Sequence, residues 1–186
     1  MNHKPEPDTT LDHAPWSASP PRGAQLDGGA HTTELKLFNP GQTTYTTDDY
    51  YTPRWIFDAM GITFDLDVAC PPFGPVNVPA TNYYTQTDDG LTQPWYGRVW
   101  MNPPYSKPSP WVERWLNHAN GIALLPYSKS KWLQTLWDSN AALVYIYSLK
   151  FERVDKRMNG STPFPLGIWA IGDDNIKAIA KLGRVR

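Results

Sequence analysis

The chain has 186 residues, 40% hydrophobic and 19% charged, with a formal net charge of −1. That length supports one domain with its own core, and no apolar run reaches the roughly 18 residues of a membrane span. The N-terminus is polar and proline-rich rather than a basic-apolar leader, and Cys70, the single cysteine, excludes an intramolecular disulfide or a cysteine-based metal cluster.

In chain order, residues 1–44 hold six prolines and four glycines, with His3, His13 and His31 scattered outside any ligand spacing. So little apolar surface cannot offset the entropy of ordering, so a disordered tail is expected there, followed by one domain over 45–186. Thr52-Pro53 predicts a helix start and Gly61 its stop, with Trp55, Ile56 and Ala59 as the apolar face. Thr63 to Val68 alternates as a strand ending at Asp67-Val68-Ala69-Cys70. Residues 71–97, rich in Pro, Asn, Thr and Asp, read as an irregular connection, and Arg98 to Met101 as a buried strand end. Ser109-Pro110 opens a second helix on Trp111, Val112, Trp115 and Leu116, with Gly121 closing it. A strand over 122–125, a helix over 131–138, strands over 142–147 and 166–171, and a helix capped by Asp173 or Asp174 through Leu182 follow. Strands alternating with helices predict an α/β sheet of doubly wound type. Trp55, Trp111, Trp115 and Trp132 are assigned to the core, and Cys70 to a small buried site in a reducing, cytoplasmic protein.

The strand end at Met101 runs into Asn102-Pro103-Pro104-Tyr105. Two prolines cannot donate to a ladder, so the sheet stops and the chain stiffens. An Asn side-chain oxygen, a carbonyl that precedes a proline and an exposed aromatic ring are then fixed on one turn. Two oxygens accept both hydrogens of an exocyclic amine while the ring stacks on its plane, and the amine lone pair is freed for attack on an electrophilic methyl. The turn resembles motif IV of amino-methyltransferases; as bare sequence it also fits ordinary loop punctuation. Ligands of doubly wound sheets bind beyond the carboxyl ends of strands, so Asp67 and Asn102 should face one crevice. Asp67 suits a cationic amine there, and equally a cap or a salt-bridge partner. Residues 1–97 carry four Lys/Arg against twelve Asp/Glu (−8), and residues 98–186 thirteen against six (+7). A basic second half fits a polyanion-facing surface.

Several further blocks occur in order: Tyr51-Thr52-Pro53, Phe64 to Ala69, Asp89-Gly90-Leu91-Thr92-Gln93-Pro94-Trp95, Val99 to Tyr105, Trp111-Val112, Ala123 to Pro126, Trp132, Leu149-Lys150-Phe151 and Phe164-Pro165. Together they resemble the phage-type DNA N-6-adenine methyltransferases (the phage Dam-like family), over about residues 45–171. The resemblance implies a small single domain of Rossmann-like methyltransferase fold, S-adenosylmethionine as donor, and adenine in double-stranded DNA as acceptor. By the same resemblance, Tyr51, Thr52 and Pro53 lie against the methionine end of the donor. Asp67 with Ala69 takes its amino group, and Asp89 lies near its adenosine. Asn102, Pro103, Pro104 and Tyr105 form the acceptor-base site. Two segments depart from the family pattern: Tyr147-Ser148, where Gly-Arg is frequent, and Tyr127 to Lys131, where an acidic residue is frequent. No metal or membrane is implied.

Methyl transfer from a sulfonium asks mainly for positioning and electrostatics. Adenine must leave the duplex, and Tyr105 stacking would offset the cost. Lys129 and Lys131 suit phosphates or a solvated loop equally. Two other functions remain open from sequence: an amino-methyltransferase acting on cytosine, RNA or glutamine, and a non-catalytic DNA-binding module.

Overall fold

The computed structural model describes residues 50–153, 162 and 164–186. The expected tail over 1–44, with His3, His13 and His31, and the start of order near Tyr45 lie outside the described residues.

The elements run β1 (Tyr50–Tyr51), α1 (Arg54–Met60), β2 (Phe64–Asp67), β3 (Ala80–Tyr83), β4 (Val99–Met101), α2 (Ser109–His118), β5 (Gly121–Pro126), α3 (Lys131–Trp137), β6 (Ala142–Ile146), β7 (Glu152–Arg153), β8 (Leu166–Ile171) and α4 (Asp173–Ile179). Six strands form one mixed sheet in the order β3-β2-β4-β5-β8-β6, and β1 pairs with β7. Strands β3, β2, β4 and β5 are parallel, whereas β8 is antiparallel to both β5 and β6. The molecule is therefore a mixed α/β domain.

Alternation along the central strands sends side chains to two cores. Trp100, Ile122, Leu124 and Ile168 pack with Ile56, Phe57 and Met60 of α1 and Ile179 of α4. Val99, Met101, Ala123, Leu125 and Trp169 pack with Trp111, Val112 and Trp115 of α2 and Leu133 and Leu136 of α3. Continuous burial of β5 and β8 follows, because both faces are covered.

Local details differ from the sequence reading in ways that packing explains. Pro53, not Thr52, caps α1, with φ −64° and ψ 142° and no side-chain cap bond. The buried face of α1 is Ile56, Phe57 and Met60, while Trp55 is 53% exposed and Ala59 is also outside. Phe57 wins because its ring meets Trp100 at 4.8 Å and Phe64 at 6.2 Å, both edge-on, which rotates the helix by one residue. Gly61 does end the helix, in the left-handed conformation. Ala119, not Gly121, caps α2, and Gly121 already belongs to β5. Gly172 precedes α4, which ends at Ile179. Within the supposed irregular connection lies β3, a polar edge strand held by backbone pairing to β2 rather than by burial.

The amino ends of the strands are closed by a satisfied polar network. Arg98 Nε donates to Asn175 Oδ1 (2.7 Å), and Asn175 Nδ2 donates to the Ile171 carbonyl (2.7 Å) and to Asn120 Oδ1 (2.9 Å). The opposite edge, at the carboxyl ends of β2, β4 and β5, carries the residues singled out from sequence.

Candidate active site

From β2 the chain leaves for β3 on one side, and from β4 it continues to β5 on the other. Connections diverging from two adjacent parallel strands open a crevice above their carboxyl ends. Asp67 ends β2 and Asn102 follows β4, and Asp67 lies in register with Trp100. With about 3.3 Å per residue and about 4.8 Å between strands, the Asp67 and Asn102 Cα atoms stand roughly 8 Å apart. The structure thus brings these two residues to one place.

Asp67 is 1% exposed, deeper than an open crevice residue was expected to be. Its Oδ1 accepts the Ala69 N–H at 3.2 Å, and the Cys70 thiol also bonds to the carboxyl. Burial pushes its pKa up to about 7, against the pull of those two donors. Among the described residues no cation pairs with it. Cys70 is free and buried as expected, and burial raises its thiol well above the usual range, with the neighbouring Asp67 adding to the effect.

The Asn102-Pro103-Pro104-Tyr105 turn is half inside. Pro103 is buried, Pro104 is exposed, and Asn102 is half-buried. The Pro104 carbonyl accepts the Lys107 N–H at 3.3 Å, whereas no protein donor among the described residues engages the Asn102 side chain or the Pro103 carbonyl. Tyr105 departs from expectation. Its ring is half-buried rather than exposed, edge-on to Phe164 at 6.1 Å and 64°, and its hydroxyl oxygen is buried.

The Asp89 to Trp95 block returns to the same strand end. Gly90 packs so tightly against β2 that a Cβ there would lie 2.1 Å from the Val68 carbonyl oxygen, so only glycine fits. Asp89 itself is exposed at φ 54°, its carbonyl accepting the Thr92 N–H at 2.8 Å and the Thr92 hydroxyl at 2.9 Å. The loop is pinned from α2: the Arg114 guanidinium donates to the Leu91 and Gln93 carbonyls and lies 5.0 Å from the Trp95 ring centroid. Trp95 in turn donates to the Gly90 carbonyl at 2.7 Å and stacks on Trp111. Arg114 has no signature in the sequence, because a lone arginine in the middle of a helix carries no local signal.

Tyr51, Thr52 and Pro53 are all buried. Tyr51 pairs with Glu152 across β1 and β7, and Asn77 Nδ2 donates both to the Thr52 carbonyl and to Glu152 Oε2, each at 3.0 Å. Thr52 Oγ1 is buried without a partner among the described residues. Among the described residues no His, Cys, Asp or Glu cluster is placed to hold a metal, and no helix is long and apolar enough to cross a membrane.

The sequence model of one family, described as DNA N-6-adenine-methyltransferase (Dam), matches residues 42–164. A curated relative, the DNA N-6-adenine-methyltransferase of Haemophilus phage HP1 (strain HP1c1), is 29% identical over 126 residues, covering 62% of this chain and 71% of that protein. No solved structure matches the chain.

Proposed function

The chain belongs to the DNA N-6-adenine-methyltransferase (Dam) family, and from that premise we propose that the crevice between Asp67 and Asn102 is where it methylates adenine in double-stranded DNA. The observation that carries the placement is the Asn102 turn: a side-chain amide and the Pro103 carbonyl, both unengaged by the described protein, at the carboxyl end of a central strand. Two such oxygens match the two hydrogens of the adenine amine. We read the fold as Rossmann-like, on the strength of the divergence at β2 and β4, and take residues 45–186 as the catalytic unit. The setting is the cytoplasm of a bacterial or phage-infected cell, where DNA and donor are both at hand.

A methyltransferase requires a methyl donor, and S-adenosylmethionine fits what this crevice lacks. Asp67 is a desolvated carboxyl with no cation beside it among the described residues, a demand that the donor's ammonium would meet. The Thr52 hydroxyl is a buried group without a partner among the described residues. When bound, the donor supplies a methyl carbon on a cationic sulfur, a group that leaves without protonation. Asp67, Ala69, Thr52 and Pro53 would hold it, with Tyr51 beneath them and Asp89 beside it. Asn102 Oδ1 and the Pro103 carbonyl accept the amine hydrogens and direct the nitrogen lone pair. The deciding experiment incubates the protein with labelled donor and duplex DNA and identifies the modified base by mass spectrometry. N6-methyladenine is expected; label on cytosine, on RNA or on protein glutamine, or no transfer at all, would overturn the reading.

Tyr105 tests the acceptor side. Its ring, half-buried and edge-on to Phe164, is the aromatic group that the Asn102 turn carries. Tyr105→Ala should slow duplex methylation by roughly 10-fold or more, from lost stacking of about 1–3 kcal/mol. A mismatch opposite the target adenine should partly restore it, since extrusion then costs less. Tyr105→Phe should retain most activity; its failure would assign the role to the hydroxyl instead.

A further inference from the structure

We propose that an aromatic ledge at the carboxyl ends of β5 and β6, formed by Tyr127, Trp137, Tyr145 and Tyr147 and flanked by Lys129 and Lys131, is the surface that receives the DNA strand next to the acceptor adenine. The proposal rests on the reading of the chain as a DNA methyltransferase. Tyr127 follows β5 and is tied by its N–H to the Pro165 carbonyl at 2.8 Å. Its ring meets Tyr145 at 5.4 Å and Trp137 at 6.4 Å, both nearly perpendicular, and Trp137 stands edge-on to the buried Trp169 at 5.3 Å. Between Leu125 and Tyr145 the sheet presents Gly167, where a Cβ would lie 2.6 Å from the Trp169 indole nitrogen. The Tyr127, Trp137 and Tyr145 rings are therefore held by one another and by Trp169, and Tyr147 follows two residues after Tyr145.

Yet they are not covered. Trp137 is 43% exposed, Tyr145 46% and Tyr147 83%. Contiguous exposed aromatics on a folded domain mark a contact surface. Lys129, Lys131 and Lys150 are exposed around them. The acidic side chains described between residues 127 and 152 are Asp138, which accepts from Gln134, and Glu152, which accepts from Asn77. The lysines are thus left for an anion. Lysine is depleted where proteins bind proteins, whereas aromatic faces beside cations suit nucleobases beside phosphates.

Position supports the same occupant. β5 and β6 both run parallel to β4, so their carboxyl ends share the edge that carries Asn102. Met101 pairs with Ala123, which sets Tyr127 about 10 Å further out than Asn102 and one strand over. A strand delivering its adenine to Asn102 would continue across this ledge.

The test uses the full chain, a fluorescein-labelled duplex and anisotropy over a salt series, with melting temperature and donor affinity measured alongside. Tyr145→Ala combined with Tyr147→Ala should weaken DNA binding by ~10-fold or more, as expected when base stacking is removed. The paired Phe variants should bind as wild type, because the π-face is kept. Lys129→Ala with Lys131→Ala should lower the salt slope of the binding constant by about 1–2, because each phosphate left without its lysine keeps its counterion. Tyr147→Ala alone removes a largely exposed ring and should show a smaller loss in the same direction without altered melting. Wild-type DNA affinity in folded variants of a protein that does methylate DNA would overturn the ledge alone. Changed self-association with unchanged DNA affinity would do the same. Failure of the wild type to bind or methylate DNA would overturn the functional reading and the ledge with it.

Discussion

Asn102→Ala is expected to lower methyl transfer by about 10²–10³-fold, the usual cost of removing one preorganised polar group aimed at a reacting centre. Donor affinity should stay near wild type, because the proposed site sets this side chain against the acceptor amine and not the donor. The reason is geometric. Asn102 is held at the end of β4 by the pairing of Met101 with Ala123, and the buried Pro103 prevents the backbone from relaxing. Asn102→Asp retains an acceptor oxygen and should fall between the two. Single-turnover rates, with donor titrated separately by calorimetry, distinguish the outcomes. An alanine variant that keeps most of its turnover would place the acceptor elsewhere.

Asp67 should show the second large effect, and one that depends on pH. Its carboxyl is raised from 3.8 to about 7 by burial, so near neutrality the free protein holds it partly protonated. A donor ammonium requires the carboxylate. Donor affinity should therefore climb as pH rises through about 7 and level off above it, with proton release on binding below that point. Asp67→Asn should flatten this dependence and weaken binding by roughly 1.5–3 kcal/mol, the value of a charge-assisted hydrogen bond. Stability of the donor-free protein should move oppositely. A raised folded-state pKa contributes stability fully present below 3.8, lost progressively as pH rises to about 7. Melting curves across that window should decline for wild type and less for Asp67→Asn. Donor affinity independent of pH and of the substitution would make Asp67 a turn-capping residue, bonded only to Ala69 and Cys70.

What the sequence determined by itself were features whose signal is local. β8 and α3 fall where hydrophobic runs and periodicity put them, within a residue, because strands buried on both faces and helices with one apolar stripe write their period into the chain. Gly61 ends α1 because only the residue's own φ is at stake. Asn102-Pro103-Pro104-Tyr105 breaks the sheet by the chemistry of proline, whatever surrounds it. Family blocks from Tyr51 to Pro165 pointed to the adenine methyltransferases, and residues 42–164 match that family.

Tertiary structure decided whatever depends on a distant partner. Trp55 and Phe57 are two apolar residues on one short helix, and only the Trp100 ring across the sheet selects Phe57 for the core. β3 is polar and exposed, so its strand character exists only in hydrogen bonds to β2. The burial of Asp67, and hence its raised pKa, comes from the neighbours that exclude water and not from its position at a strand end. Arg114 reaches backward over twenty residues to pin the Leu91 and Gln93 carbonyls, an interaction that no spacing rule encodes. Tyr105 is half-buried because Phe164, 59 positions later by number, closes on its edge. Sequence periodicity records which face of an element is apolar; which ring fills that face, and which carboxyl loses its water, is fixed only when the sheet brings remote segments within van der Waals contact.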